Sequence, residues 1–153
     1  MADIFRFEVF DRTIGRHKGV YSYDYLWRLE EHEHSTGRPG PISDKGLNKK
    51  WNPFKRKNFV DDYDLFFGFD TIEKMIRWFS NRDELQMIFG LQEREGYLRG
   101  CFCIYEDIEK FFSSRYQAAF IKPNYEPKRI YTFEEYNTFL KTGDRNACCR
   151  IPC

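Results

Sequence analysis

Residues 66–80, FFGFDTIEKMIRWFS, constrain the fold more than any other stretch of the chain. An apolar run ends at Gly68, a bend follows, and an amphipathic helix begins. Asp70 stands at the N-cap position, and Glu73 follows at the capping-box spacing. Ile72, Met75, Ile76 and Phe79 recur at i, i+3, i+4 and i+7, so large apolar groups share one helical face. This is a scaffold signal. It fixes architecture and names no reaction.

Other elements follow from similar patterns. Phe5, Phe7 and Val9 alternate with Arg6 and Glu8, which predicts a first strand with the two charged residues side by side on a partly open face. Gly15 and Gly19 bracket a basic turn, and the run from Val20 to Leu29 fits either a short helix in its second half or a strand. A short helix is expected over Arg82–Phe89 with Gly90 as its stop. A strand is expected over Leu98–Ile108, with Cys101, Cys103 and Tyr105 on one face and Phe102 and Ile104 on the other. A return strand, Arg115–Ile121, would close a hairpin with it through residues 109–114. Thr132 and Glu135 have capping-box spacing, Tyr131 can staple onto Tyr136, and Gly143 closes that helix. The order predicts a single α+β domain over residues 1–143, with a mainly antiparallel sheet and three to four helices. Residues 30–64, broken by Gly37, Pro39, Gly40, Pro41, Gly46 and Pro53, read as a long connection, and residues 144–153 as a tail.

At 153 residues the chain is long enough for one ordinary core, and its 25 basic and 24 acidic residues nearly cancel. Nothing in that balance demands a polyanionic partner, so any charge-based recognition must be local. Aromatic residues make up 19% of the chain; most should be core, and the remainder favour recognition surfaces. The absence of a long apolar run and of a signal-peptide pattern predicts a soluble protein of the cytoplasm without a membrane partner. Five cysteines, an odd number, fit a reducing compartment.

Three groups of residues could carry chemistry. His32, His34, Cys148, Cys149 and Cys153 are zinc-type ligands, but no C-x-x-C pair exists and the cysteines fit a tail equally well; no metal is expected. Lys45, Lys49, Lys50, Lys55, Arg56 and Lys57 surround Trp51 and Phe54, the ingredients of a surface that binds protein or single-stranded nucleic acid. Asp61, Asp62 and Asp64 follow directly and could neutralise it. The third group is Arg6, Tyr21, Tyr23, Thr71 and Gln117, which fall near element ends.

That third set resembles the compact ADP-ribosyltransferase-like fold, in which a first-strand Arg or His holds the dinucleotide and a late strand carries Gln or Glu near the reacting ribose. The resemblance implies that Arg6 pairs with phosphate and that NAD or another nucleotide is bound. The late strand departs from the pattern, because no glutamate stands two residues after Gln117 in RYQAA. The alternative for the same residues is an Arg6–Glu8 strand-face pair, a first-turn Thr71 and a surface Gln117.

A second resemblance spans Arg38-Pro39-Gly40-Pro41-Ile42-Ser43-Asp44, then Phe67-Gly68-Phe69-Asp70-Thr71 leading to Trp78-Phe79, then Gln117 and Phe120. The pattern is similar to small proteins of unknown function encoded by tailed bacteriophages. It implies an early or accessory protein of the bacterial cytoplasm, of a kind that binds and disables host machinery. The leading expectation is accordingly a protein that acts by binding a host protein or a nucleotide-derived ligand, with counter-defence among its roles and no cofactor. On this reading the contact surface combines the 38–57 segment, Arg38 included, with Arg6, Tyr21 and Tyr23. A nucleotide-using enzyme and a single-stranded nucleic-acid binder are the alternatives.

Overall fold

Strand β1 (Ala2–Asp11) lies second in a four-stranded antiparallel sheet and has both faces buried. The computed structural model describes residues 1–11, 16–19, 44–60, 65–80, 82–95, 98–121 and 126–148. In the first sheet β1 pairs with β2 (Arg16–Gly19) and β4 (Leu98–Ile108), and β4 pairs in turn with β7 (Arg129–Tyr131). The register sets Phe5, Phe7 and Val9 opposite Ile104, Phe102 and Gly100, and Ile4, Arg6 and Glu8 opposite Tyr105, Cys103 and Cys101. The alternation expected for both strands therefore holds.

Three helices cover the aromatic face: α2 (Ile72–Trp78), α3 (Arg82–Glu95) and α4 (Phe133–Thr142). Phe7 is the hub, with ring contacts to Phe79, Phe89, Phe102 and Tyr136. Gly100 lets α3 come this close, since a Cβ there would lie 1.9 Å from the Ile88 carbonyl oxygen. The opposite face, lined by Ile4, Cys101, Cys103 and Tyr105, packs on a second antiparallel sheet of order β3 (Leu65–Gly68), β6 (Ala118–Ile121), β5 (Phe111–Ser113). A two-bond bridge between Phe5 and Phe69 ties the two sheets together at the edge of β1. Helix α1 (Lys45–Asn58) then packs on β5 and β6 from outside, through Leu47, Trp51 and Phe54. The result is an α+β fold in four layers: helices, sheet, sheet, helix.

Several expectations shift. The segment read as a long connection contains α1, which forms because Asp44 caps it and Leu47, Trp51 and Phe54 recur at i, i+4 and i+7. That burial outweighs Gly46 in the first turn and Pro53 inside, whose missing N–H removes one helical bond. The N-cap of α2 is Thr71, whose hydroxyl accepts from the Lys74 N–H, while Asp70 takes the Lys74 ammonium. The buried line of α2 runs through Met75 and Trp78, and Ile76 is 46% exposed, because the Trp78 ring reaches Phe69. Helix α3 continues through Gly90 to Glu95; an interior glycine costs only about 1 kcal/mol, less than Ile88 and Phe89 recover by burial. Strand β6 pairs with β3 and β5 rather than with β4, so the expected hairpin partner is exchanged for a second sheet.

Helix α4 forms as expected, with the Thr132–Glu135 capping box and a left-handed Gly143 at φ 69°. Tyr131 packs on Phe139, with Phe102 contacting both. Just beyond, Arg145–Ala147 form a 3-10 turn held to the body. Its Arg145 carbonyl accepts from the Tyr131 hydroxyl and the Arg129 guanidinium, and the Arg145 side chain pairs with Asp3. The first part of the expected tail thus belongs to the domain.

Candidate functional site

The described residues offer two polar clusters inside the protein and one charged face outside it. The first inner cluster lies between the sheets. Arg6 and Glu8 project from the same face of β1 and come within 2.9 Å of each other, yet they are 4% and 0% exposed. Tyr105 donates its hydroxyl to Glu8 at 2.6 Å. The guanidinium lies over the Phe66 ring at 4.8 Å and the Phe120 ring at 5.9 Å. Its contact with Glu8 is electrostatic rather than directional, since Arg6 Nε and Nη1 make no hydrogen bond. Burial raises the Tyr105 hydroxyl far above its ordinary range, reinforced by the Glu8 charge and opposed by Arg6. Burial likewise pushes up the Cys103 thiol, whose neighbour Cys101 lies 3.7 Å away.

The second inner cluster joins α1 to the β5–β6 turn. Asp44 is buried, and its carboxylate accepts from the Leu47 N–H at 3.0 Å, the Gln117 side-chain amide at 3.0 Å and the Ser114 hydroxyl. Ser114 and Gln117 close the turn themselves, with the Ser114 N–H donating to the Gln117 carbonyl at 2.8 Å. Asp44 therefore caps the helix and clasps the hairpin with one side chain.

The outer face is the solvent side of α1. Lys45, Lys49, Lys50, Lys55, Arg56 and Lys57 are its only charged residues, with no acidic residue from 45 to 58. Lys45, Lys49, Arg56 and Lys57 are exposed, and Lys50 reaches across to donate to the Ser113 carbonyl at 2.6 Å. Beside them the Lys110 ammonium stands 5.0 Å from the Phe54 ring centre and 5.4 Å from that of Phe112. The helix ends at Phe59, which is 94% exposed and has left-handed backbone angles of φ 53° and ψ 38°.

The candidate residues read from the sequence thus separate. Trp51 is buried against Phe54 and Phe112, so it supports the basic face from beneath and presents no ring for stacking. Lys49, Lys50, Lys55 and Arg56 stay with the outer helix, and Phe54 lies half-buried at its foot. Arg6 is not part of that surface, because the second sheet covers it. Gln117, expected on a strand surface, is buried on Asp44, and Thr71 is occupied as a helix cap. Tyr21, Tyr23, Arg38, His32, His34, Cys149 and Cys153 lie outside the described residues, and Cys148 is half-buried. Sequence reasoning missed Phe59, Asp44 and Lys110. The signal for Phe59 was available: a phenylalanine directly follows KRKN, at the place where a helix-ending glycine is usual.

Fold and surface together define a small two-sheet α+β protein that carries one basic helical face. The family model described as Bacteriophage T4 Y00F protein matches residues 1–134, and the chain belongs to that family. It is a phage accessory protein. No curated protein and no solved structure matches it. The resemblance to the ADP-ribosyltransferase-like fold finds no support, since Arg6, Thr71 and Gln117 are each engaged within the fold. Among the described residues no helix is long and apolar enough to cross a membrane.

Proposed function

We propose that this phage protein acts by binding a host protein, and that the outer face of α1 is its contact surface. One observation supports the reading: six basic residues and no acidic one line a helix whose apolar side is already occupied, with Leu47 and Trp51 buried and Trp51 and Phe54 against Phe112 of the second sheet. Outside α1 the chain holds more acidic than basic residues, so the positive charge is concentrated on this element. A surface of that kind selects a partner with complementary carboxylates and speeds its encounter. Asp61, Asp62 and Asp64 follow directly in the sequence, and so acidic a neighbour disfavours a polyanionic partner. They are compatible with a protein partner of mixed charge.

The test is capture from bacterial host extract by immobilised wild-type protein and by the Lys49→Glu/Arg56→Glu variant. Both side chains are exposed, so the variant should melt like wild type, within the small range usual for surface changes. The expected result is a captured host protein that the variant no longer retains. Equal capture by the two would remove α1 as the contact surface, and capture abolished by nuclease would replace the protein partner with nucleic acid.

A further inference from the structure

We infer that Phe59 is the apolar anchor of the interface, inserted into a carboxylate-rimmed hydrophobic pocket on the partner; this rests on the reading of α1 as the contact surface. Three facts converge on the residue. Its side chain is 94% exposed, more than any other large apolar side chain among the described residues. Its backbone lies in the left-handed region, at φ 53° and ψ 38°. It directly follows the last helical turn, which carries Lys55, Arg56 and Lys57.

The backbone at this point needs no side chain. The Phe59 N–H and the Val60 N–H both reach the Lys55 carbonyl, the latter at 3.1 Å, and the Asn58 side-chain amide donates to the Phe54 carbonyl at 2.9 Å. These bonds close the helix in the way that glycine ordinarily does, because glycine enters the left-handed region without a Cβ clash. A bulky aromatic residue there is a backbone outlier. Phe59 is therefore strained, stands outside the core that the described residues form, and exposes a large ring to water. A residue unfavourable to its own fold on both counts is accounted for by a contact outside it. Aromatic and arginine side chains are the groups that dominate protein interfaces when they enter pockets, and here Phe59 stands beside Arg56. The flanking cations define the rim chemistry of that pocket as acidic.

The experiment uses the full chain with Phe59→Gly, Phe59→Trp and the Lys49→Glu/Arg56→Glu variant, read by thermal melting and by photo-crosslinking in bacterial host extract. For crosslinking, each variant carries a genetically encoded p-benzoylphenylalanine in place of Lys45, because the five native cysteines rule out thiol labelling at a single position, and the captured band is quantified. Phe59→Gly should raise the melting temperature by about 2–4 °C through relief of the left-handed strain. The same variant should weaken capture by at least about thirtyfold, the loss expected of an interface hot spot. Phe59→Trp should retain capture. Loss with the charge variant but retention with Phe59→Gly would overturn the anchor and leave the α1 surface standing. Retention by both would overturn the surface as well. A melting temperature lowered by Phe59→Gly would show that the ring stabilises the fold, and would also overturn the inference.

Discussion

At the scale of single residues, the least ordinary feature is an ion pair enclosed between two sheets with a tyrosine hydroxyl on its carboxylate. Arg6 and Glu8 gain mutual attraction in a low-dielectric interior, but each has lost its hydration, and Arg6 Nε and Nη1 make no hydrogen bond in return. Removing one partner alone is then far worse than removing both. Glu8→Ala should destabilise by about 3–5 kcal/mol, because it leaves a buried guanidinium without its counter-charge and Tyr105 without its acceptor. The double variant Arg6→Met/Glu8→Leu should recover most of that loss, leaving about 1–3 kcal/mol for the buried Tyr105 hydroxyl that has still lost its acceptor. Urea unfolding of the single and double variants measures both; a Glu8→Ala loss below about 1 kcal/mol would contradict the enclosed pair. The sequence made the pairing legible, since a period of two puts Arg6 and Glu8 on one face. It did not make the burial legible, because the covering sheet comes from residues 65–68 and 111–121, far along the chain. Tyr136, on the other side of the same sheet, has its hydroxyl pushed up to about 12 by burial alone, the mark of an interior crowded with rings.

At the scale of elements, local chemistry was readable and pairing was not. The capping box and terminal glycine of α4 lie within a few residues of what they control, and both hold. Strand β4 was legible from its own alternation. The partners of β6 were not, because strand choice depends on which sheet edge is free after the rest has folded. Helix α1 was obscured by Gly46 and Pro53, although Leu47, Trp51 and Phe54 carried its period. Its dependence on Asp44 is testable. Asp44→Ala removes the N-cap oxygen together with the carboxylate bonds to the Gln117 amide and the Ser114 hydroxyl, for an expected loss of about 2–3 kcal/mol. Asp44→Asn keeps an oxygen for the cap and should lose less. Chemical denaturation orders the three proteins; equal stability of Asp44→Ala and wild type would mean that α1 is held by its apolar face alone.

At the scale of the whole molecule, the four layers divide the work. The inner three bury most of the core rings and the Arg6–Glu8 pair, and the fourth layer, α1, uses its inner side to cover the second sheet and its outer side to display charge. The candidate site was therefore half legible: the basic cluster stood out in the sequence, whereas its helical presentation depended on the sheet beneath it. Deuterium exchange of the chain, alone and saturated with the host protein that it captures, tests this division most directly. The account predicts added protection across Lys45–Val60, with α4 on the far side of the molecule unchanged. Protection of α4 with Lys45–Val60 exchanging as in the free protein would contradict it.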